Sequence, residues 1–284
     1  MKTTELFKKK TVLSYEVFPP KPTSSVNTIY DTLDALKGLS PDFISVTYGA
    51  GGGKNNNETF QIASAIKGYG IESVAHLPCI GLTKEDVSAK LKELEKIGVE
   101  NILALRGDLP SDGCIQGDFR YASDLIAFIK SQGDFNMIAA CYPEGHMEAK
   151  SKVEDIQNLK RKVDAGADHL ITQLFFDNEY FYSFAERCQL AGINVPIEAG
   201  IMPVTNKKQI DRMASLCGAT VPKKFVAMME RYENNLIAMR DAGIAYAVDQ
   251  IVDLIAQGVD GIHLYTMNHP YIARKIHEAI HNLI

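Results

Sequence analysis

Eight times along this chain a short β-branched or apolar run gives way to a polar turn and then to a stretch with helical apolar spacing. The strand-like runs are 12–18, 43–49, 72–78, 101–108, 136–143, 169–176, 196–203 and 261–267. The helical stretches lie near 26–37, 58–69, 84–97, 121–131, 150–165, 179–190, 207–216 and 243–257, and a closing helix lies near 272–283. Eight β-then-α units in 284 residues predict an α/β fold, one (β/α)8 TIM-type barrel domain over residues 1–284. A doubly wound open sheet would have fewer strands and a Gly-rich first turn. One extra helical segment, near 222–240, falls between strands seven and eight. Thr83 with Asp86 opens one helix, and Gly98, Gly166, Gly192 and Gly258 close others.

Composition narrows the function. At 46% hydrophobic the chain can fill one large core, and a net charge of −5 argues against general binding to nucleic acid or anionic membranes. The cysteines (Cys79, Cys114, Cys141, Cys188 and Cys217) are scattered, odd in number and free of any CxxC pair, which points to small core residues in a reducing compartment. No apolar stretch follows the N-terminal lysines, and no run approaches the ~20 residues of a membrane span. A soluble cytoplasmic protein is expected.

In a parallel barrel, reactive groups gather at the carboxyl ends of the strands. Those positions hold Glu16, Thr47 to Ala50, His76, Arg106-Gly107-Asp108, Tyr142 with His146, Gln173, Met202-Pro203 and Thr266 to His269, while the opposite ends read as mostly plain. Alternation puts Ser14, Glu16 and Phe18 on one strand face and Leu13, Tyr15 and Val17 on the other, so Glu16 points into the mouth. An ionised carboxylate there is costly unless paired. It is therefore either ion-paired with an Arg or Lys of the mouth or set to hold and deliver a proton.

Gly107 admits close approach of a ligand, with Arg106 suited to a phosphate and Asp108 to a polar ring edge; the plainer reading is an Arg–Asp pair that ties down a loop. The Gly49–Lys54 run fails the spacing of both nucleotide-loop patterns and reads instead as a mobile loop over the mouth. Asn158, Arg161 and Lys162, on the helix after strand five, are either solvated or turned to an anionic cofactor beside Tyr142 and His146. Gln173 is either a satisfied amide or a donor–acceptor pair for an amide-bearing ring. His277 and His281 have metal-pair spacing, but they read as an exposed helix face, so no metal is assigned.

Ten segments carry a family resemblance in order over nearly the whole chain. They are Ser14-Tyr15-Glu16-Val17-Phe18-Pro19-Pro20, Ser45-Val46-Thr47-Tyr48-Gly49-Ala50, Ala75-His76-Leu77, Leu105 to Pro110, Tyr121 to Leu125, Tyr142-Pro143-Glu144-Gly145-His146, Asn158 to Ala167, Ile171 to Asp177, Gly200-Ile201-Met202-Pro203 and Tyr265-Thr266-Met267-Asn268. The set resembles the bacterial-type methylenetetrahydrofolate reductase family of flavoproteins. The resemblance implies a barrel with non-covalent FAD. A reduced nicotinamide cofactor, NADH before NADPH, reduces the flavin and leaves; methylenetetrahydrofolate then takes its place and becomes 5-methyltetrahydrofolate, a methyl source for methionine synthesis. One mouth serving two substrates in turn would account for the missing Rossmann fingerprint.

By motif position, Glu16 matches the family's general acid, protonating N10 so that the five-membered ring opens to an iminium. Asp108 matches an acid that tunes the flavin, and Gln173 a residue that shifts between nicotinamide and folate. Thr47 matches a position by the nicotinamide. Tyr48, Ala50, His76, Arg106, Gly107, Asp108, Tyr121, Ala122, Tyr142, His146, Ala149, Asp155, Asn158, Arg161 and Lys162 match cofactor contacts. His269-Pro270 departs from the pattern where some relatives place an Arg for the folate tail, which leaves His269 as the substrate-side residue there. Phe225, Met228 and Met229 of the extra segment align loosely with a gating region. A homo-oligomer without an appended regulatory domain is expected. Two other readings remain: a flavin-free barrel enzyme, such as an aldolase or pterin-dependent methyltransferase, and a non-enzymatic small-molecule sensor.

Overall fold

Side chains of β1 (Val12–Val17) feed two separate cores. Leu13, Tyr15 and Val17 pack with the helices, whereas Val12 packs with Phe43, Val74, Leu103, Ile138 and Ile171. Two cores on opposite faces of one sheet are the inside and outside of a cylinder. The computed structural model describes every residue except 21–24, 26, 49–55 and 109–116, with the backbone alone at 56 and 57. Ala50 and Cys114, like the whole glycine-rich run 49–54, lie outside the described residues.

The cylinder is closed and parallel in sequence order. After β1 come β2 (Phe43–Val46), β3 (Glu72–Pro78), β4 (Asn101–Leu105), β5 (Asn136–Cys141), β6 (His169–Thr172), β7 (Ile197–Ile201) and β8 (Gly261–Tyr265), which pairs back onto β1. Around it run α1 (Asn27–Lys37), α2 (Asn56–Gly68), α3 (Lys84–Lys96), α4 (Ala122–Gln132), α5 (Lys152–Asp164), α6 (Asn178–Leu190), α7 (Lys207–Cys217), α8 (Lys223–Tyr232), α9 (Leu236–Ala256) and α10 (Pro270–Ile280). Most strands stop one to four residues short of the sequence reading. Their last residues leave the ladder to form the rim, which carries the polar groups.

The local signals act as expected. Thr83 and Asp86 form a reciprocal cap on α3. Gly98, Gly166, Gly192 and Gly258 take left-handed φ of 73°, 115°, 69° and 81° just past α3, α5, α6 and α9. The extra segment does fall between β7 and β8, but α9 starts at Leu236 rather than 243, because Asn235 caps it through a 3.0 Å bond from the Ala238 N–H. Phe225 and Met229 are fully buried in a second core with Leu174, Phe176, Met202 and Val204, so neither side chain is free to gate the mouth.

The amino-terminal end of the barrel corrects the expectation of plainness. A 3-10 helix (Thr3–Lys8) that the sequence reading missed packs Leu6 and Phe7 against the interior cluster. Its Thr3 is held by Asn101 and Asn136, whose Nδ2 donates to Thr3 Oγ1 at 2.8 Å. Above this plug the lumen holds Ser14, Ser45, His169, Glu198 and His263, all fully buried. Cys79, Cys141 and Cys188 are buried free thiols. Among the described residues no helix is long and apolar enough to cross a membrane.

Candidate active site

Register places the acid. Ser14 pairs with His263 and Glu16 with Tyr265 across the β1–β8 seam, so these four positions share the inward face at the carboxyl end. Glu16 is one-fifth exposed. Its Oε2 lies 3.6 Å from His76 Nε2 and 3.7 Å from His263 Nε2. Among the described residues the carboxyl is thus neither unpaired nor matched with an Arg or Lys; two imidazoles flank it. Its backbone carbonyl accepts a 2.6 Å bond from the Thr266 hydroxyl, and Asn268 bonds both the N–H and the carbonyl of Phe18, which fixes the chain just beyond it. Tyr265 fits beside these groups because Gly200 leaves room: a Cβ there would sit 2.8 Å from the tyrosine oxygen and 2.4 Å from the Thr172 carbonyl.

Burial governs the neighbours. It pushes the imidazole of His76 down to about 4 and that of His169 down to about 3, so both are neutral near pH 7. A base whose proton affinity falls on folding stabilises the fold fully above its unfolded value of 6.5, and the contribution is lost as pH drops toward the folded value. Changing His169 to Asn is therefore expected to flatten the fall in unfolding free energy below pH 6.5 by about 1.4 kcal/mol per pH unit, read by urea titrations at stepped pH. An unchanged slope would mean that His169 takes up its proton inside the folded barrel, against Glu198.

The second half of the rim is cationic and aromatic. Arg106, just past β4, grips Glu148 with both terminal nitrogens at 2.5 and 2.6 Å. The partner is thus Glu148, not Asp108; Asp108 is exposed to solvent. Gly107 has φ 88°, and a Cβ there would press on Pro78 and Ile80 at 3.0 Å. Tyr142 meets His146 edge-on at 4.6 Å, and Lys162 Nζ lies 5.7 Å from the centre of the tyrosine ring while donating to the Ala140 carbonyl at 2.7 Å. Burial lowers the proton affinity of Lys162 and of His146, and raises that of Asp155. Arg161 donates to Asn158 at 2.7 Å one turn along α5. Beside this group an open cleft of about 300 Å³ touches Glu144, Gly145, His146, Met147, Ala149 and Gly218.

The other expected residues divide. Tyr121 is exposed at the start of α4, with Ala122 buried behind it. Thr47 follows β2 with its hydroxyl buried and without a partner among the described residues. The Tyr48 ring packs in the helix layer, 5.6 Å from Lys90 Nζ, so its side chain turns away from the mouth. Gln173 folds onto its own backbone, its Oε1 accepting from the Leu174 N–H at 2.8 Å. His269 is exposed at the cap of α10. His263, Tyr265, Glu198 and Glu148 escaped the sequence reading. The period-2 argument used for β1, applied to β7 and β8, would have turned the first three inward; nothing local marks Glu148, which lies 42 residues from Arg106.

A closed parallel barrel that sets an acid between two imidazoles at one rim, next to a cation-rich arc, is built for small-molecule chemistry at its carboxyl face. Comparison with known proteins makes this specific. The chain belongs to the methylenetetrahydrofolate reductase family, whose pattern matches residues 2–281. It is 40% identical over 265 residues to the 5,10-methylenetetrahydrofolate reductase of Escherichia coli, covering 93% of this chain and 88% of that one. It is 37% identical over 275 residues to "Methylenetetrahydrofolate reductase (NADH) 1" of Arabidopsis thaliana, covering 91% of this chain and 46% of that one. Among solved structures, a Clostridium thermocellum protein described as binding two copies of 5-methyl-5,6,7,8-tetrahydrofolic acid shares the fold, with a TM-score of 0.70, 14% identity and coverage of 98% and 96%.

Proposed function

We propose that this protein reduces 5,10-methylenetetrahydrofolate to 5-methyltetrahydrofolate with electrons from a reduced nicotinamide, NADH in preference to NADPH, through non-covalent FAD. The observation that carries the reading is the Glu16 carboxyl, open to the mouth and flanked by His76 and His263. Family membership supports the reaction, and the name of the plant relative supports NADH.

The rim suits FAD on chemical grounds. Arg106 already holds a pair of anionic oxygens in fork geometry, as it would a phosphate. The Thr47 hydroxyl and His76 Nε2 are buried polar atoms without hydrogen-bond partners among the described residues, which a polar ring edge would satisfy. Arg106, Gly107, Tyr121, Ala122, Tyr142, His146, Ala149, Asp155, Asn158, Arg161 and Lys162 would hold the cofactor, with the backbone of Tyr48 and with Ala50 completing the set. When bound, FAD supplies a two-electron carrier between a nicotinamide and a folate that occupy the mouth in turn.

This chain's own residues do the rest. Glu16 holds a proton and delivers it to N10 of the folate, opening the five-membered ring. Asp108 places a negative charge beside the ring systems. Gln173 releases its amide from the Leu174 N–H to bond whichever substrate is present. His269 stands where the glutamate tail leaves the mouth. Anaerobic stopped-flow of the two half-reactions tests the reading: NADH should bleach the flavin faster than NADPH, and methylenetetrahydrofolate should restore its colour. A colourless protein that takes up no FAD would sink it in favour of a flavin-free barrel enzyme.

A further inference from the structure

Beneath Glu16 the lumen carries a line of polar groups that the reaction above leaves unused. His263 Nε2 faces Glu16 Oε2 at 3.7 Å, with Ser45 Oγ beside it at 3.5 Å. On the other side of the same ring, Nδ1 lies 2.6 Å from Ser14 Oγ, and that oxygen lies 2.7 Å from Glu198 Oε1. Glu198 Oε2 sits 3.5 Å from His169 Nε2. Ser14, His169, Glu198 and His263 have no exposure at all, and neither Glu198 Oε2 nor either nitrogen of His169 has a hydrogen-bond partner among the described residues. A buried acid with half its carboxyl unbonded is an expensive feature to keep in a core.

The line has two self-consistent states, because a serine hydroxyl carries one proton and a neutral imidazole one N–H. With Glu198 as carboxylate, Ser14 donates to it and accepts from His263 Nδ1–H. The Nε2 lone pair then faces Glu16, which favours Glu16 with its proton. With Glu198 protonated, every bond reverses: Glu198 donates to Ser14, Ser14 to Nδ1, and Nε2–H faces Glu16, which favours the Glu16 carboxylate.

We propose that Glu198 is a positioning residue for the reaction, sharing one proton with Glu16 through Ser14 and His263 and so setting whether Glu16 meets the substrate protonated. The proposal rests on the reading of Glu16 as the proton donor. The exchange is balanced: Glu16 O–H passes its proton to Nε2, Nδ1–H passes its own to Ser14, and the Ser14 proton moves to Glu198. The carboxylate changes ends and no net charge is made.

Burial raises the proton affinity of Glu198 to about 7, so the far end of the line changes state near neutrality. Glu198 is faced by Ser14 on β1, His169 on β6 and His263 on β8, with the negative charges of Asp42 and Asp260 nearby; Asp168 acts on His169. Glu16 is faced by His76, His263 and Tyr265.

Nitrogen-15 NMR of ring-labelled histidine in the full chain tests the line directly, with the His263 signal identified by its loss in His263→Asn. In the wild type, with Glu16 holding its proton, release of the Glu198 proton to solvent as pH rises through about 7 should carry His263 from Nε2–H to Nδ1–H. Glu198→Gln and, independently, Ser14→Ala should abolish that exchange. In Glu198→Gln the alkaline limb of folate reduction should also move about one pH unit downward, a tenfold loss at alkaline pH that largely disappears in acid. An unaltered His263 exchange in both variants, or a rate loss equal at every pH, would overturn the proposal and leave Glu198 a structural residue. If Glu16→Gln instead leaves folate reduction intact, the proton-donor reading fails separately, and the histidine spectra still decide whether the line exists.

Discussion

Glu16→Gln is expected to slow folate reduction by about 10²–10⁴-fold while NADH still reduces the flavin at close to the wild-type rate. The asymmetry follows from what each half-reaction needs. Ring opening at N10 requires a proton at the moment the C–N bond breaks, and the amide of Gln has none to give at that acidity. Hydride delivery from a nicotinamide involves no such transfer. Gln keeps the volume of Glu and the terminal heavy-atom position that faces both His76 and His263, at 3.6 and 3.7 Å, so the rim should hold its shape. Single-turnover mixing of the reduced variant with methylenetetrahydrofolate reads the folate half-reaction; mixing of the oxidised variant with NADH reads the other. Equal losses in both would place Glu16 in cofactor binding rather than proton delivery.

The barrel itself was legible because each of its units repeats one local pattern, and eight repeats leave little freedom of topology. The inward aim of Glu16 followed from period-2 alternation in β1, which Leu13, Tyr15 and Val17 confirm by packing with the helices. What escaped the sequence depends on closure. His263 is 247 residues from Glu16, and only the β1–β8 seam brings them together. Glu198 reads as a stray acid in an apolar run until the cylinder puts it against Ser14. Tyr48 belongs to a motif at a strand end, yet its ring turns outward, because helix-layer packing with Phe60 and Lys90 takes an aromatic side chain more readily than the polar rim does. Pairings across a closed sheet carry no trace in local spacing.

The grip between Arg106 and Glu148 leads to two opposed outcomes for FAD binding. Arg106→Ala should weaken retention of FAD by about 10- to 100-fold, the cost of losing a charge-assisted fork on a phosphate. Glu148→Ala should do the reverse and tighten FAD by a few-fold, because the carboxylate occupies the same two guanidinium nitrogens, at 2.5 and 2.6 Å, that the phosphate would need. Glu148 is more than half exposed, so breaking the pair costs the fold little. Fluorescence titration of the flavin-free protein with FAD, repeated at rising salt, measures both. Arg106→Ala should also flatten the salt dependence, since one screened charge contact is gone. Were both variants to lose FAD to the same extent, the pair would be a brace for the loop after β5, and the anion held by Arg106 would be Glu148 throughout.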